Sequence, residues 1–187
     1  MRLFVAINFP NEVRQGILHA AEPLRRLGLP VKWVEAAGVH LSLKFLGEVA
    51  EGRLGELIAG LEHATRGARP FTLPIAGFGA FPTPDRARVV WVGCEAVPAL
   101  ELLQHGVETQ FAALGFPIEG RAFRPHVTLG RAKGDARGGV RGLAEPLARL
   151  VYEGEVVVRS VELMESELSP AGARYTARHT VALAEGS

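Results

Sequence analysis

The sequence predicts an α+β protein built of two similar lobes, and three observations carry that expectation. The order strand–helix–strand–helix–strand occurs twice along 187 residues, with one strand added at the end. The best local match between the halves is a strand motif, His40-Leu41-Ser42-Leu43 in the first and His126-Val127-Thr128-Leu129 in the second. Hydrophobic residues make up 48% of the chain, enough for a core of ordinary size. Overall identity between the halves is poor, so an unrelated α/β sandwich is the competing architecture. The expected organisation is a single domain, residues 1–187, made of the two lobes.

Each element has a local reason. Leu3 to Ile7 reads as a buried strand, and Pro10 with Asn11 opens a helix striped by Val13, Ile17, Ala20, Leu24 and Leu27. Val31–Val34 and Val39–Leu46 read as strands. Leu54, Leu57, Ile58 and Leu61 stripe a second helix. Phe71–Phe81 is extended and ends in the turn Pro82-Thr83-Pro84-Asp85. The plan then restarts with a strand at Val89–Cys94 and a helix carrying Leu100, Leu103, Val107, Phe111 and Leu114. Gly115 follows it, where a left-handed cap costs glycine little. Pro125–Leu129 is a strand like the one at Val39. Leu143, Leu147 and Leu150 mark another helix, which Pro146 starts or breaks. Glu155–Leu168 and Arg174–Leu183 are expected to close the chain as long strands.

Composition removes several function classes. There are 21 basic and 20 acidic residues, a net charge of +1, so no overall field draws the chain to nucleic acid or membrane. An anion site must be local. One cysteine, Cys94, excludes an intramolecular disulfide and a cysteine-cluster zinc site. The apolar run Leu3–Ile7 is too short for a signal peptide core, and no later stretch reaches membrane-spanning length. The expectation is a cytoplasmic monomer with no membrane partner. Arg outnumbers Lys 18 to 3, and Asn, Gln, Cys and Met are scarce, which fits either a heat-adapted protein or a GC-rich genome.

The two histidine motifs carry the chemistry. Alternation along a strand turns Leu41, Leu43 and Phe45, and likewise Val127 and Leu129, toward a core. His40 with Ser42, and His126 with Thr128, then face outward together. Imidazole takes up or gives up a proton near neutral pH, so two of them on opposite sides of one centre can be base and acid in the same step. A neighbouring hydroxyl donates to a charged oxygen between them. A phosphodiester meets those requirements. A lone strand histidine is more often structural, but two of six histidines with apolar–hydroxyl–apolar followers at matched places exceed coincidence. His19, His63 and His105 lie on the expected helices, and His179 lacks the pattern.

These segments resemble the 2H phosphoesterase superfamily, and within it the RNA 2′,3′-cyclic phosphodiesterases once called 2′–5′ RNA ligases. The resemblance spans nearly the whole chain. It runs from Arg2-Leu3-Phe4-Val5-Ala6-Ile7 through Val39–Glu48, Gly79-Ala80-Phe81-Pro82 and Arg124–Leu129 to Glu165–Pro170 and Tyr175. Ser42 stands where the family often has Thr. The resemblance implies two pseudo-twofold-related lobes, each an antiparallel sheet packed by helices, with the motifs lining a central groove. It also implies hydrolysis of a 2′,3′-cyclic phosphate end to a 2′-phosphate, without metal or other cofactor, with His40 as proton donor and His126 as proton acceptor. The implied partner is RNA with a cyclic phosphate end or a small cyclic nucleotide; a tRNA fragment and an ADP-ribose cyclic phosphate both fit.

Around the second motif, Arg121, Arg124, Arg131, Lys133, Arg137 and Arg141 face only Asp135. Arg131 is the strongest phosphate contact, provided a bend re-aims it, since plain alternation puts it opposite His126. Lys44 keeps phase with His40 and Ser42 and is a second candidate. Tyr175 and Phe45 are candidates for stacking on a base, although core packing suits Phe45 better. A zinc hydrolase needs a third ligand at suitable spacing, which neither motif supplies. An RNA-binding module is echoed by Gly77-Phe78-Gly79-Ala80-Phe81, but Ala76 and Pro82 break that pattern. RNA ligation, as reversal of related chemistry that the same two histidines can in principle support, is the alternative reaction.

Overall fold

A computed structural model describes residues 1–136 and 138–185, which leaves Arg137 of the basic stretch outside the described residues. The elements follow the expected order: β1 (Arg2–Asn8), α1 (Asn11–Arg25), β2 (Val31–Trp33), β3 (His40–Glu48), α2 (Leu54–Ala64), β4 (Phe71–Phe81) and β5 (Val89–Cys94). After these come α3 (Pro98–Ala113), β6 (His126–Ala132), α4 (Ala144–Arg149), β7 (Glu153–Val158), β8 (Ser160–Ser169) and β9 (Gly172–Ala182). The helix α1 buries Ile17, Ala21 and Leu24 on one stripe, with Glu12 in its first turn and Arg25 in its last to complement the helix dipole. Pro98 opens α3, where its missing N–H costs nothing, and Gly115 follows at φ +95°.

Among the described residues nine strands form one sheet, in the order β7-β4-β5-β6-β3-β1-β8-β9, with β2 paired to β6. Every pairing is antiparallel. The two histidine strands meet at the middle, where Leu41 of β3 lies opposite Val127 of β6. That contact divides the sheet into a β3-β1-β8-β9 wing and a β7-β4-β5-β6 wing. The wings are not the sequence halves. β4 comes from the first half and pairs with β5, whereas β8 comes from the second and pairs with β1. Helices cross over in the same way: α3, which follows β5, packs with α2 against β3, while α1, which follows β1, packs with α4. Each wing therefore needs both halves for its core.

The expected long strand Glu155–Leu168 is two strands. Buried positions run Val156, Val158 and then Val161, Leu163, so the inward phase changes at Arg159. The break lets β7 close the outer edge of one wing on β4 while β8 inserts beside β1 in the other.

A larger core cluster fills the helix side of the sheet, including Leu3, Val5, Ile7, Leu41, Leu57, Leu61, Val92, Phe111, Val127 and Leu163. A second joins Leu24, Val31, Ala80, Val90, Leu143 and Leu147. A small one, Phe4, Ala6 and Met164 with Tyr175 against it, lies on the opposite sheet face, the face of the histidines. Burying apolar area at roughly 25 cal/mol per Å² favours this assignment of faces.

Candidate active site

Two matched bulges shape this face. In β3, Ser42 pairs with Ala6 but the next pair is Lys44 with Val5, so Leu43 is an extra residue. In β6, Thr128 pairs with Trp91 and Gly130 with Val90, so Leu129 is extra in the same place of the second motif. A bulge puts two residues against one and reverses the alternation beyond it. Upstream of each bulge, His40 and Ser42, and His126 and Thr128, share one face. Beyond it, Phe45 and Arg131 return to that face, while Lys44 and Gly130 turn inward.

This corrects two readings of the sequence. Phe45 is not in the core; it is 64% exposed, with its ring 5.8 Å from that of Phe4. Lys44 does not reach a phosphate. Its Nζ is buried, donating to both carboxylate oxygens of Glu108 at 3.0 and 3.1 Å and to the Pro117 carbonyl at 2.8 Å. Arg131, by contrast, is exposed on the histidine face, and the bulge is the bend its placement required.

The antiparallel match of Leu41 with Val127 puts Ser42 toward His126 and His40 toward Thr128, one step to either side. Each imidazole thus has its own hydroxyl two residues along the strand and the other motif's hydroxyl across the seam. In a regular ladder such diagonal neighbours as His40 and His126 are about 7–8 Å apart.

Aromatic rings wall both histidines. His40 lies 4.9 Å from Phe4 and 5.2 Å from Tyr175, centroid to centroid, the latter edge-on. His126 lies edge-on at 5.0 Å from Phe81 and 6.5 Å from Trp91. Phe81 belongs to the glycine–aromatic run that echoed an RNA-binding strand, and its ring packs on the imidazole. Trp91 lies flat where a side chain on Gly79 would sit: a Cβ there would be 2.3 Å from Trp91 Cζ2. Gly79→Ala is expected to displace the indole and cost about 1–3 kcal/mol, read as a lower urea midpoint with altered near-ultraviolet circular dichroism.

Burial pushes both imidazoles toward the neutral form. His40 is lowered to about 4, first by desolvation and then by the nearby Arg14 charge, with a smaller opposing effect from the Ala37 backbone. His126 is also lowered, first by desolvation, and by the charge of Arg131; its bond to the Arg124 backbone opposes the change. That bond fixes its tautomer. A carbonyl can only accept, so the 2.7 Å contact to Arg124 O places a proton on Nδ1 and leaves Nε2 with its lone pair.

A family model described as LigT-like phosphoesterase matches the chain twice in tandem, over residues 7–91 and 92–175. The chain belongs to that family. Among its relatives, an RNA 2′,3′-cyclic phosphodiesterase of Methanothermobacter thermautotrophicus is 36% identical over 182 residues, covering 94% of this chain and 95% of the relative. One from Thermus thermophilus is 33% identical over 181 residues, covering 94% and 87%. The crystal structure of Escherichia coli LigT complexed with 3′-AMP superposes with a TM-score of 0.78 at 29% identity over 98% of both chains. The crystal structure of a Thermus thermophilus protein gives 0.82 at 30% identity over the full length of both.

In this LigT-like phosphoesterase the sequence motifs miss one group beside His40. Arg14 on α1 donates from a terminal guanidinium nitrogen to Asn8 Oδ1 at 3.0 Å, and Asn8 Nδ2 donates to Glu162 at 2.5 Å. Asn8 is the cross-strand partner of His40. The buried Nε of Arg14 and Nδ1 of His40 have no hydrogen-bond partner of good geometry among the described residues. Arg14 extends the buried stripe Ile17, Ala21, Leu24 by one turn, and a cation on an otherwise apolar stripe was the available signal. No group of three or more His, Cys, Asp or Glu among the described residues is arranged to hold a metal ion, and no helix is long and apolar enough to cross a membrane.

Proposed function

We propose that this phosphoesterase opens RNA 2′,3′-cyclic phosphate ends to 2′-phosphates by acid–base catalysis between His126 and His40, with no metal. The tautomer of His126 carries the proposal. With Nδ1–H held by the Arg124 carbonyl and the ring kept neutral by burial, Nε2 is an acceptor at neutral pH, as a general base must be. Water attacks phosphorus and gives its proton to His126 Nε2. The bond from phosphorus to the 3′ oxygen breaks, and that oxygen takes a proton from His40. Ser42 and Thr128 donate to the non-bridging oxygens, and Arg131 offsets their charge. Proton transfer from His126 back to His40 through solvent completes the cycle. Tyr175 and Phe45 flank the terminal nucleoside, where stacking on a ring is worth about 1–3 kcal/mol. The names of the relatives support the substrate class, and both lobes of the single domain contribute to the one centre.

A free His40 is mostly neutral at pH 7, so the acid form has to come from the substrate. A cyclic phosphate monoanion brought against the ring favours imidazolium and raises His40 again. The expected pH dependence follows. In free enzyme the reactive state holds one proton between the two rings; below about 4 both rings are charged and the base is lost, and above the lowered His126 value both are neutral and the acid is lost. The kcat/KM profile is therefore a bell centred on the acid side of neutrality, with kcat displaced to higher pH. A kcat/KM that stays level from weakly acid to weakly alkaline solution overturns the scheme. Hydrolysis of a defined 2′,3′-cyclic phosphate oligonucleotide in chelator tests the rest, and turnover restored only by added metal defeats it.

A further inference from the structure

Beside the motif face, two cations stand opposite each other across a strand pair. Lys32 of β2 is the cross-strand partner of Arg131 of β6; both are exposed and on the same face of the sheet. Like charges directly opposite in an antiparallel pair are unfavourable. No carboxylate among the described residues makes an ion pair with either one.

The strand is held where this repulsion is felt. β2 takes the place beside β6 beyond the Leu41–Val127 pair, where β3 has not yet begun, and it sits close because Gly130 has no side chain. A Cβ on Gly130 would lie 2.6 Å from Val31 Cγ1 and 2.7 Å from Trp33 Cε3. Val31 and Trp33, on either side of Lys32, pack into the core cluster beneath. Alternation then aims Lys32 away from that core and toward the histidine face. Arg131 is close enough to His126 to lower it by its charge. Positive charge thus runs from the reacting centre through Arg131 to Lys32, one strand further out.

We propose that Lys32 forms, with Arg131, a second phosphate subsite that takes the backbone phosphate on the 5′ side of the terminal nucleotide, so that an RNA strand is preferred to a free cyclic nucleotide. Two successive phosphates relieve the repulsion of the opposed cations, Arg131 reaching the cyclic phosphate and Lys32 the next one along. This rests on the cyclic-phosphate reading of the two histidines and adds to it the part of the substrate that does not react.

Three substrates separate the two ideas: a nucleoside 2′,3′-cyclic phosphate, the same compound with a 5′-phosphate, and a trinucleotide ending in the cyclic phosphate. The 5′-phosphate and the trinucleotide are expected to raise kcat/KM several-fold over the bare nucleoside, and Lys32→Gln to remove most of that advantage. Lys32 is exposed, so the variant keeps the fold. An advantage undiminished in the variant, or no advantage in the parent protein, overturns the subsite. Failure of the parent protein on all three instead strikes the catalytic reading, and binding then decides the subsite. For a trinucleotide ending in a 2′-phosphate, fluorescence anisotropy across a salt series should show the slope of log K against log salt falling by about 0.7 in Lys32→Gln, the loss of one phosphate contact to a single strand. An unchanged slope counts against it.

Discussion

His126→Ala and His40→Ala each lower kcat on a 2′,3′-cyclic phosphate oligonucleotide by at least about a hundredfold, the ordinary worth of a positioned acid or base. The two effects differ in their pH signatures. Loss of His126 removes the group whose Nε2 is set as acceptor by the Arg124 carbonyl, and the acid limb of the profile disappears with it. Loss of His40 removes the alkaline limb. The double variant is expected to be little slower than either single one, because an acid and a base that act in one step fail together. Single-turnover hydrolysis, alongside thermal unfolding to show that the sheet persists, makes the measurement. Equal rates in parent and both variants would end the assignment of either histidine to the reaction.

Lys44→Met destabilises the protein by about 3–5 kcal/mol, the cost of leaving a buried carboxylate without its partner. Lys44 and Glu108 have side chains only 2% and 7% exposed, and Glu108 also accepts from the Glu119 backbone N–H at 3.2 Å. The pair ties the β3 bulge to α3 and to the loop that leaves it. Removing both charges in Lys44→Met/Glu108→Leu is expected to recover most of the loss, since apolar groups of similar size often replace a buried ion pair without penalty. Denaturant unfolding of the parent, Lys44→Met, Glu108→Leu and the double variant gives the coupling energy directly. If Lys44→Met alone is as stable as the parent, the ammonium is not the strut that the geometry makes it.

These two sites mark where local sequence stops being informative. Alternation fixed the faces of His40, Ser42, His126 and Thr128, because those residues precede the bulges. It failed for Lys44 and Phe45 because they follow one. A trace of the change was present: Leu41 and Leu43 are in one phase and Leu46 in the other, all three buried, so the strand had to slip a residue between them. The same logic marks Arg159, where Val156 and Val158 give way to Val161 and Leu163. Arg14 left a fainter trace, a cation on the buried stripe of a helix, and only packing brings it beside His40.

By itself the sequence determined the elements apart from the break at Arg159, the doubled plan and the paired imidazole–hydroxyl motifs, since hydrophobic period and turn residues act over a few neighbours. Tertiary structure alone decided that the halves exchange β4 and β8, and that the motif strands meet at Leu41 and Val127. It also decided that Lys44 is a buried strut while Phe45 and Arg131 face the histidines. The physical reason is that strand partners, bulges and register depend on groups far apart in the chain, and their free energy exists only once the sheet is assembled.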